Sequence, residues 1–139
     1  MILREAISGN APSSATTAVV GSQIAGLDKF NTIEITAEIT GNTGGTLDVY
    51  VQRYDDGNDQ WVDWIHFPQR SAGAAIIRYA VSGSAPSSTI QAVGVALSPA
   101  LSANAAAGGH PGSAIRCIAT SGASTTSGGA IVISVRGRR

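Results

Sequence analysis

TLDVYVQRYDDGNDQWVDWIHF, residues 46–67, holds both tryptophans, two of the three tyrosines and five of the nine acidic residues of a 139-residue chain. Leu47, Val49 and Val51 alternate with Asp48, Tyr50 and Gln52, the period-two pattern of a strand with two different faces. Residues 55–59, DDGND, supply the Asp, Asn and Gly that a tight reversal prefers, and a second apolar run follows from Gln60. The stretch therefore reads as a β-hairpin. It also gathers most of the large side chains of a chain otherwise built from Ala, Gly, Ser, Thr, Val and Ile, so it either anchors a core or grips a partner.

Outward from the hairpin the same period recurs. Over residues 31–40, Ile33, Ile35, Ala37 and Ile39 alternate with Thr32, Glu34, Thr36 and Glu38, a half-buried strand with one solvated face. Residues 18–24, 60–67, 74–81, 89–95, 114–120 and 129–137 are further candidates. With the two runs already named they give about eight strands. The expected fold class is all-β, a single antiparallel β-sandwich domain spanning residues 1–139. A helix competes only over residues 97–107, where the alanines favour it; Pro99, the serines and the following Gly108 and Gly109 oppose it, so a loop with at most one turn is expected.

Three segments stand apart from the strands. The first, residues 1–17, ends in ISGNAPSSATT and reads as an extended N-terminal arm. The second, residues 98–113, SPALSANAAAGGHPGS, is a long Ala/Gly/Ser-rich loop without a Lys, Arg, Asp or Glu. It is too weakly polar for a solvated linker, so it is expected to lie on another protein surface; a plain surface loop is the alternative. The third, residues 136–139, is a short basic tail.

Composition excludes several functions. Formal net charge is zero and charged residues are 13%, so no single-sign field draws in nucleic acid or an anionic membrane. The opening MILREAISGN reads as neither a signal peptide nor a membrane span. One cysteine, Cys117, sits in an alternating run and is expected to be a buried, inert thiol; no Cys/His spacing suggests zinc. Asp55, Asp56, Asn58 and Asp59 are hard-oxygen ligands, but turn chemistry explains each of them and EF-hand spacing is absent, so no metal is expected. Two histidines, His66 and His110, occur without a nucleophile elbow or an orienting acid, so no catalytic residue, cofactor or enzymatic activity is expected.

In a regular strand Trp61, Asp63, Ile65 and Phe67 share one face, and Val62, Trp64 and His66 the other. The two tryptophans then cannot both be core residues unless a bulge intervenes. One of them is expected to face a partner. The candidate interface is Trp61, Trp64 and His66 from the hairpin, Leu101 and His110 from the long loop, and Arg136, Arg138 and Arg139 from the tail, which could pair with carboxylates of a neighbouring subunit, a plain solvated tail being the alternative.

The runs TLDVYVQ (46–52) and WVDWIHFPQ (61–69), separated by an Asp/Gly turn and followed by SAGAA (71–75), resemble small β-sandwich virion proteins encoded among tailed-bacteriophage head genes. The resemblance implies a jelly-roll-like cement, or decoration, protein on the outer capsid surface, made in the host cytoplasm and free of any active site. It also implies the major capsid protein and further copies of the chain as partners, a homodimer favoured and a homotrimer possible. Two other readings stay open: a carbohydrate-binding or host-adhesion module stacking sugars on Trp61, Trp64 and Tyr50 or Tyr54, and a head-tail neck component.

Overall fold

A computed structural model describes residues 2–10, 18–82, 101–107, 111–121 and 130–138, with side chains described for 18–39, 46–69, 101–107, 111–120 and 131–138. The chain runs through β1 (Ile2–Asn10), β2 (Ala18–Val20), β3 (Ile24–Ala25), a 3-10 turn (Leu27–Lys29), β4 (Thr32–Asp55) and β5 (Gln60–His66). It continues through β6 (Arg70–Ser82), β7 (Ala105–Ala106), β8 (Ala114–Ser121) and β9 (Ala130–Arg138). Every strand pairing among the described residues is antiparallel.

The strand that organises the molecule is β4, at 24 residues twice the usual length of a strand or more. Its first half, from Thr32, pairs with β9 on one side and β6 on the other; its second half, from Leu47, pairs with β8 and β5. Between the halves the register with β6 shifts twice, between Ile39 and Asn42 and between Thr43 and Leu47. Gly41, Gly44 and Gly45 fall in that span, where a strand that changes sheet has to bend. Two expected strands, 31–40 and 46 onward, are thus one bent strand serving both sheets.

Counting β2 with β3 as one position and each half of β4 as its own, the first sheet runs β1, β9, first half of β4, β6, and the second runs β2/β3, β8, second half of β4, β5. In chain order these positions are 1-8-3-6 and 2-7-4-5. That order defines a jelly roll, two Greek keys folded into a sandwich. The two-residue β7 is an addition along the outer edge of β5.

One hydrophobic core lies between the sheets. Ile33, Ile35, Ala37 and Ile39 of β4 and Ile131, Ile133 and Val135 of β9 meet Leu47, Val49, Val51, Ile115 and Cys117 of the second sheet. Leu27 and Phe30 close one end. There the Phe30 ring lies so near the β9 backbone that a Cβ on Gly137 would sit 2.6 Å from its Cγ, so only glycine fits. Burial pushes the Cys117 thiol up to about 12, the inert state expected of it.

Two of the segments set apart in the sequence are corrected by the register. Residues 2–10 are not a free arm: they form β1, eight of them matched to β9 with one irregularity between Glu5 and Ile7, because the edge of β9 away from β4 offers their backbone a hydrogen-bonding ladder. Residues 11–17 lie outside the described residues. Arg136 and Arg138 belong to β9 and not to a tail, opposite Glu34 and Thr32 of β4. The expected strand at 89–95 lies outside the described residues.

Candidate functional site

The turn at 55–59 reverses β4 into β5 through hydrogen bonds of its own carboxylates. Asp55 accepts from the Gly57 N–H at 3.1 Å and from the Asn58 side-chain amide at 2.7 Å. Its carboxyl is held below the usual carboxylate value chiefly by that Asn58 bond. Tyr54 donates its hydroxyl to Asp59, whose positive φ of 57° ends the turn, and Ser113 donates to Asp56 at 2.8 Å. These acids are occupied as turn chemistry requires. A shallow cavity of about 390 Å³ opens beside them, lined by Arg53, Tyr54, Asp55, Asp56, Gly57, Val62 and Gly112.

Past the turn, β5 carries a bulge. Val51 faces Ile65 and Gln52 faces Asp63, so Trp64 is an extra residue inserted between them. The insertion turns both Trp64 and Ile65 into the core beside Phe67 and leaves Trp61, Asp63 and His66 on the opposite side. The parity conflict between the tryptophans is resolved in this way: Trp64 is a core residue at 0% exposure, and Trp61 lies half-buried on the outer face.

That outer face of the second sheet is polar yet buried. Gln52 on β4, Asp63 on β5 and Arg116 on β8 lie across three adjacent strands, and both Gln52 and Asp63 are 0% exposed. Arg116 donates through Nε and Nη2 to Gln52 Oε1 at 2.9 and 2.7 Å, and Gln52 Nε2 donates onward to Asp63 Oδ1 at 2.8 Å. The Gln52 amide thus joins a cation to a carboxylate, each of its ends taken by the partner of matching polarity. The Arg116 guanidinium also lies 4.6 Å above the Trp61 ring, which packs on Tyr54 with centroids 5.2 Å apart. Burial lowers the pKa of Arg116.

Farther from the turn a second polar group surrounds His66, which is 6% exposed. Its Nε2 lies 2.9 Å from Asp48 Oδ1 and its Nδ1 2.8 Å from the Leu101 carbonyl oxygen. Gln69 Nε2 donates to both Asp48 oxygens, at 3.0 and 2.9 Å, and Tyr50 meets the imidazole edge-on. Burial alone would lower the His66 pKa, but the bonds to Asp48 and Leu101 and the nearby negative charge leave it raised. For Asp48, burial alone would raise the carboxyl; donation from His66 and Gln69 outweighs it and leaves the pKa lowered.

The expected interface set is divided by this geometry. Trp64, His66 and Leu101 are turned into the chain's own interior and are corrected on that ground, the first by the bulge and the other two by their mutual hydrogen bond. Residues 101–107 lie along β5 of the same chain, with Ala105 and Ala106 paired to His66 and Ile65 and the Ala107 N–H donating to the Trp64 carbonyl at 2.7 Å. This part of the long loop is therefore held on its own chain, with Ser102, Ala103 and Asn104 exposed. Trp61 and Arg136 are half-buried, Arg138 is exposed, and His110 and Arg139 lie outside the described residues. Sequence reading missed both hydrogen-bonded groups, Gln52 with Asp63 and Arg116, and Asp48 with Gln69 around His66. The signal was there in part: Asp48, Tyr50 and Gln52 alternate cleanly, but their partners come from residues far along the chain.

Among the described residues no group of three or more His, Cys, Asp and Glu is arranged to hold a metal ion. No helix of the described residues is long and apolar enough to cross a membrane.

No family model matches the chain, and no curated protein matches it. Among solved structures it is similar to a chain of the naturally occurring empty particles, the top component, of cowpea mosaic virus, at 16% identity and a TM-score of 0.44 over 99% of this chain and 83% of that one. The jelly-roll assignment rests on the strand register.

Proposed function

We propose that the chain is a structural virion protein that binds the outside of a tailed-bacteriophage capsid and stabilises contacts between major capsid protein subunits, as a cement or decoration protein. The observation that carries this reading is the hairpin at 46–67. It is where the resemblance to phage head-gene sandwiches is densest, and it forms two adjacent strands of a jelly-roll sheet with Tyr50, Trp64, Ile65 and Phe67 buried within the chain. A hairpin used in this way makes a rigid block.

A surface open to a partner is the outside of the first sheet. Thr32, Glu34, Thr36 and Glu38 of β4 lie beside Ser134, Arg136 and Arg138 of β9, a flat face with both signs of charge and every described member at least partly exposed. Such a face suits a wet, polar contact with a capsid surface or a second copy of the chain, modest at each site and reinforced by repetition over a shell. In this reading the protein acts as a homo-oligomer, a dimer in the favoured form, is made in the host cytoplasm, ends on the outer capsid surface, and has no catalytic role. A sugar-binding module is less well supported. It needs aromatic faces open in a groove, whereas Tyr50 and Trp64 are internal and Arg116 lies on the Trp61 ring.

The experiment is to compare particles with and without the protein on heating. Particles lacking it should release DNA or rupture at a lower temperature, and adding purified protein back should restore the difference. Equal robustness of the two kinds of particle would refute the cement role.

A further inference from the structure

We propose that Asp48, His66 and the Leu101 carbonyl form a pH-operated latch, which holds residues 101–107 along the edge of β5 while the imidazole carries two protons and releases them when it carries one.

The geometry requires the doubly protonated ring. A carbonyl oxygen only accepts hydrogen bonds, so the contact at Nδ1 needs a proton on Nδ1. On the other side, Gln69 donates to both oxygens of Asp48 and the bonds from His66 and Gln69 hold its pKa below 3.8, so near neutral pH the group is a carboxylate and the contact at Nε2 needs a proton on Nε2. A neutral imidazole has one N–H. Loss of the second proton therefore sets a ring-nitrogen lone pair against an oxygen lone pair on one side or the other, in a site where His66 and Asp48 are 6% and 8% exposed and water is poorly placed to replace the missing donor.

The described ionisable groups around the ring act in the same direction. From β4 come Asp48 and the edge of Tyr50; from β5 itself comes Asp63, whose charge also favours the imidazolium. From β8, Thr120 stands opposite Asp48, and the nearest cation on that strand, Arg116, is opposite Gln52 and bonded to it. The latched segment, LSANAAA, has no ionisable side chain. The raised pKa of His66 agrees with this arrangement. The latch is closed at and below the ordinary histidine value of 6.5 and opens as pH rises through the raised one.

Residues 101–107 depend on the latch because, among the described residues, their other anchors are few: the Ala105–Ala106 pairing, the Ala107 N–H to the Trp64 carbonyl, and the buried side chains of Leu101 and Ala107. A two-residue ladder does not hold by itself. Its release bares the backbone of β5 at a sheet edge, where another strand can pair.

The test uses the full chain from pH 5 to pH 9, with nitrogen NMR of the His66 ring and hydrogen exchange of the Ala105 to Ala107 amides. Both ring nitrogens should carry protons at pH 6. Protection of those amides, corrected for base catalysis of exchange, should then fall roughly tenfold or more through the His66 titration, the cost of one charge-assisted hydrogen bond, while β8 stays protected. A His66 that is neutral at pH 6, or protection at 105–107 that stays flat through the titration, overturns the proposal. In His66→Gln the segment should exchange fast at every pH. If its exchange still follows a titration in that variant, another group is the switch and the proposal fails.

Discussion

The two sheets of this jelly roll present outer faces that look alike in sequence and differ in the folded chain. On the first sheet, Thr32, Glu34, Thr36 and Glu38 alternate with isoleucines and alanine and are partly or fully exposed. On the second, Asp48, Tyr50 and Gln52 alternate with leucine and valines in the same way and are buried. Alternation says which face of a strand meets the core. It says nothing about whether the other face is wet. On the second sheet the polar side chains find one another across β4, β5 and β8, and their hydrogen bonds replace those of water.

The contrast is broken most directly by removing one buried partner. Asp63→Ala leaves the Gln52 amide without its acceptor and Arg116 without the carboxylate it reaches through Gln52; it should cost about 3 kcal/mol in denaturant unfolding. A cost under about 0.5 kcal/mol, the range of an ordinary surface substitution, would mean that the network is wet like the first sheet's face. Next in size is Gly137→Ala on β9, where the new methyl meets the Phe30 ring and the expected loss is about 2 kcal/mol. Phe30→Leu combined with it should recover part of that loss, because the two sites share one contact.

pH gives a smaller effect with two opposing signs. The raised pKa of His66 contributes stability that is full below 6.5 and is lost as pH climbs through the raised value. The lowered pKa of Asp48 contributes stability that is present above 3.8 and is lost as pH falls through the lowered value. Stability should therefore be greatest between these limits, and the alkaline decline should vanish in His66→Gln. Smallest of all is Glu34→Ala on the first sheet. Glu34 stands opposite Arg136 but is solvated, so unfolding should shift by less than about 1 kcal/mol, and the shift should shrink in high salt.

Much of the fold was legible in the sequence. Alternating isoleucines and valines defined the core strands and the all-β class, and Asp, Asn and Gly marked the turn between β4 and β5. The bend that lets β4 serve both sheets was hidden, because glycines at 41, 44 and 45 read equally well as a turn ending one strand and starting another. The bulge at Trp64 was hidden as well. The parity conflict between Trp61 and Trp64 announced that something had to give, but only the cross-strand register shows where the extra residue went. Residues 2–10 were misread because a terminal strand that pairs with the far end of the chain leaves no local signal. The buried polar network was the least legible part, since Gln52 and Arg116 lie 64 residues apart and only pairing between β4 and β8 makes them neighbours.

The most direct test of the cement assignment is imaging of intact particles. The assignment predicts a sandwich-shaped density in many copies on the outside of the shell, seated at contacts between major capsid subunits. A single ring of copies at the neck, or no copy on the shell at all, would contradict it.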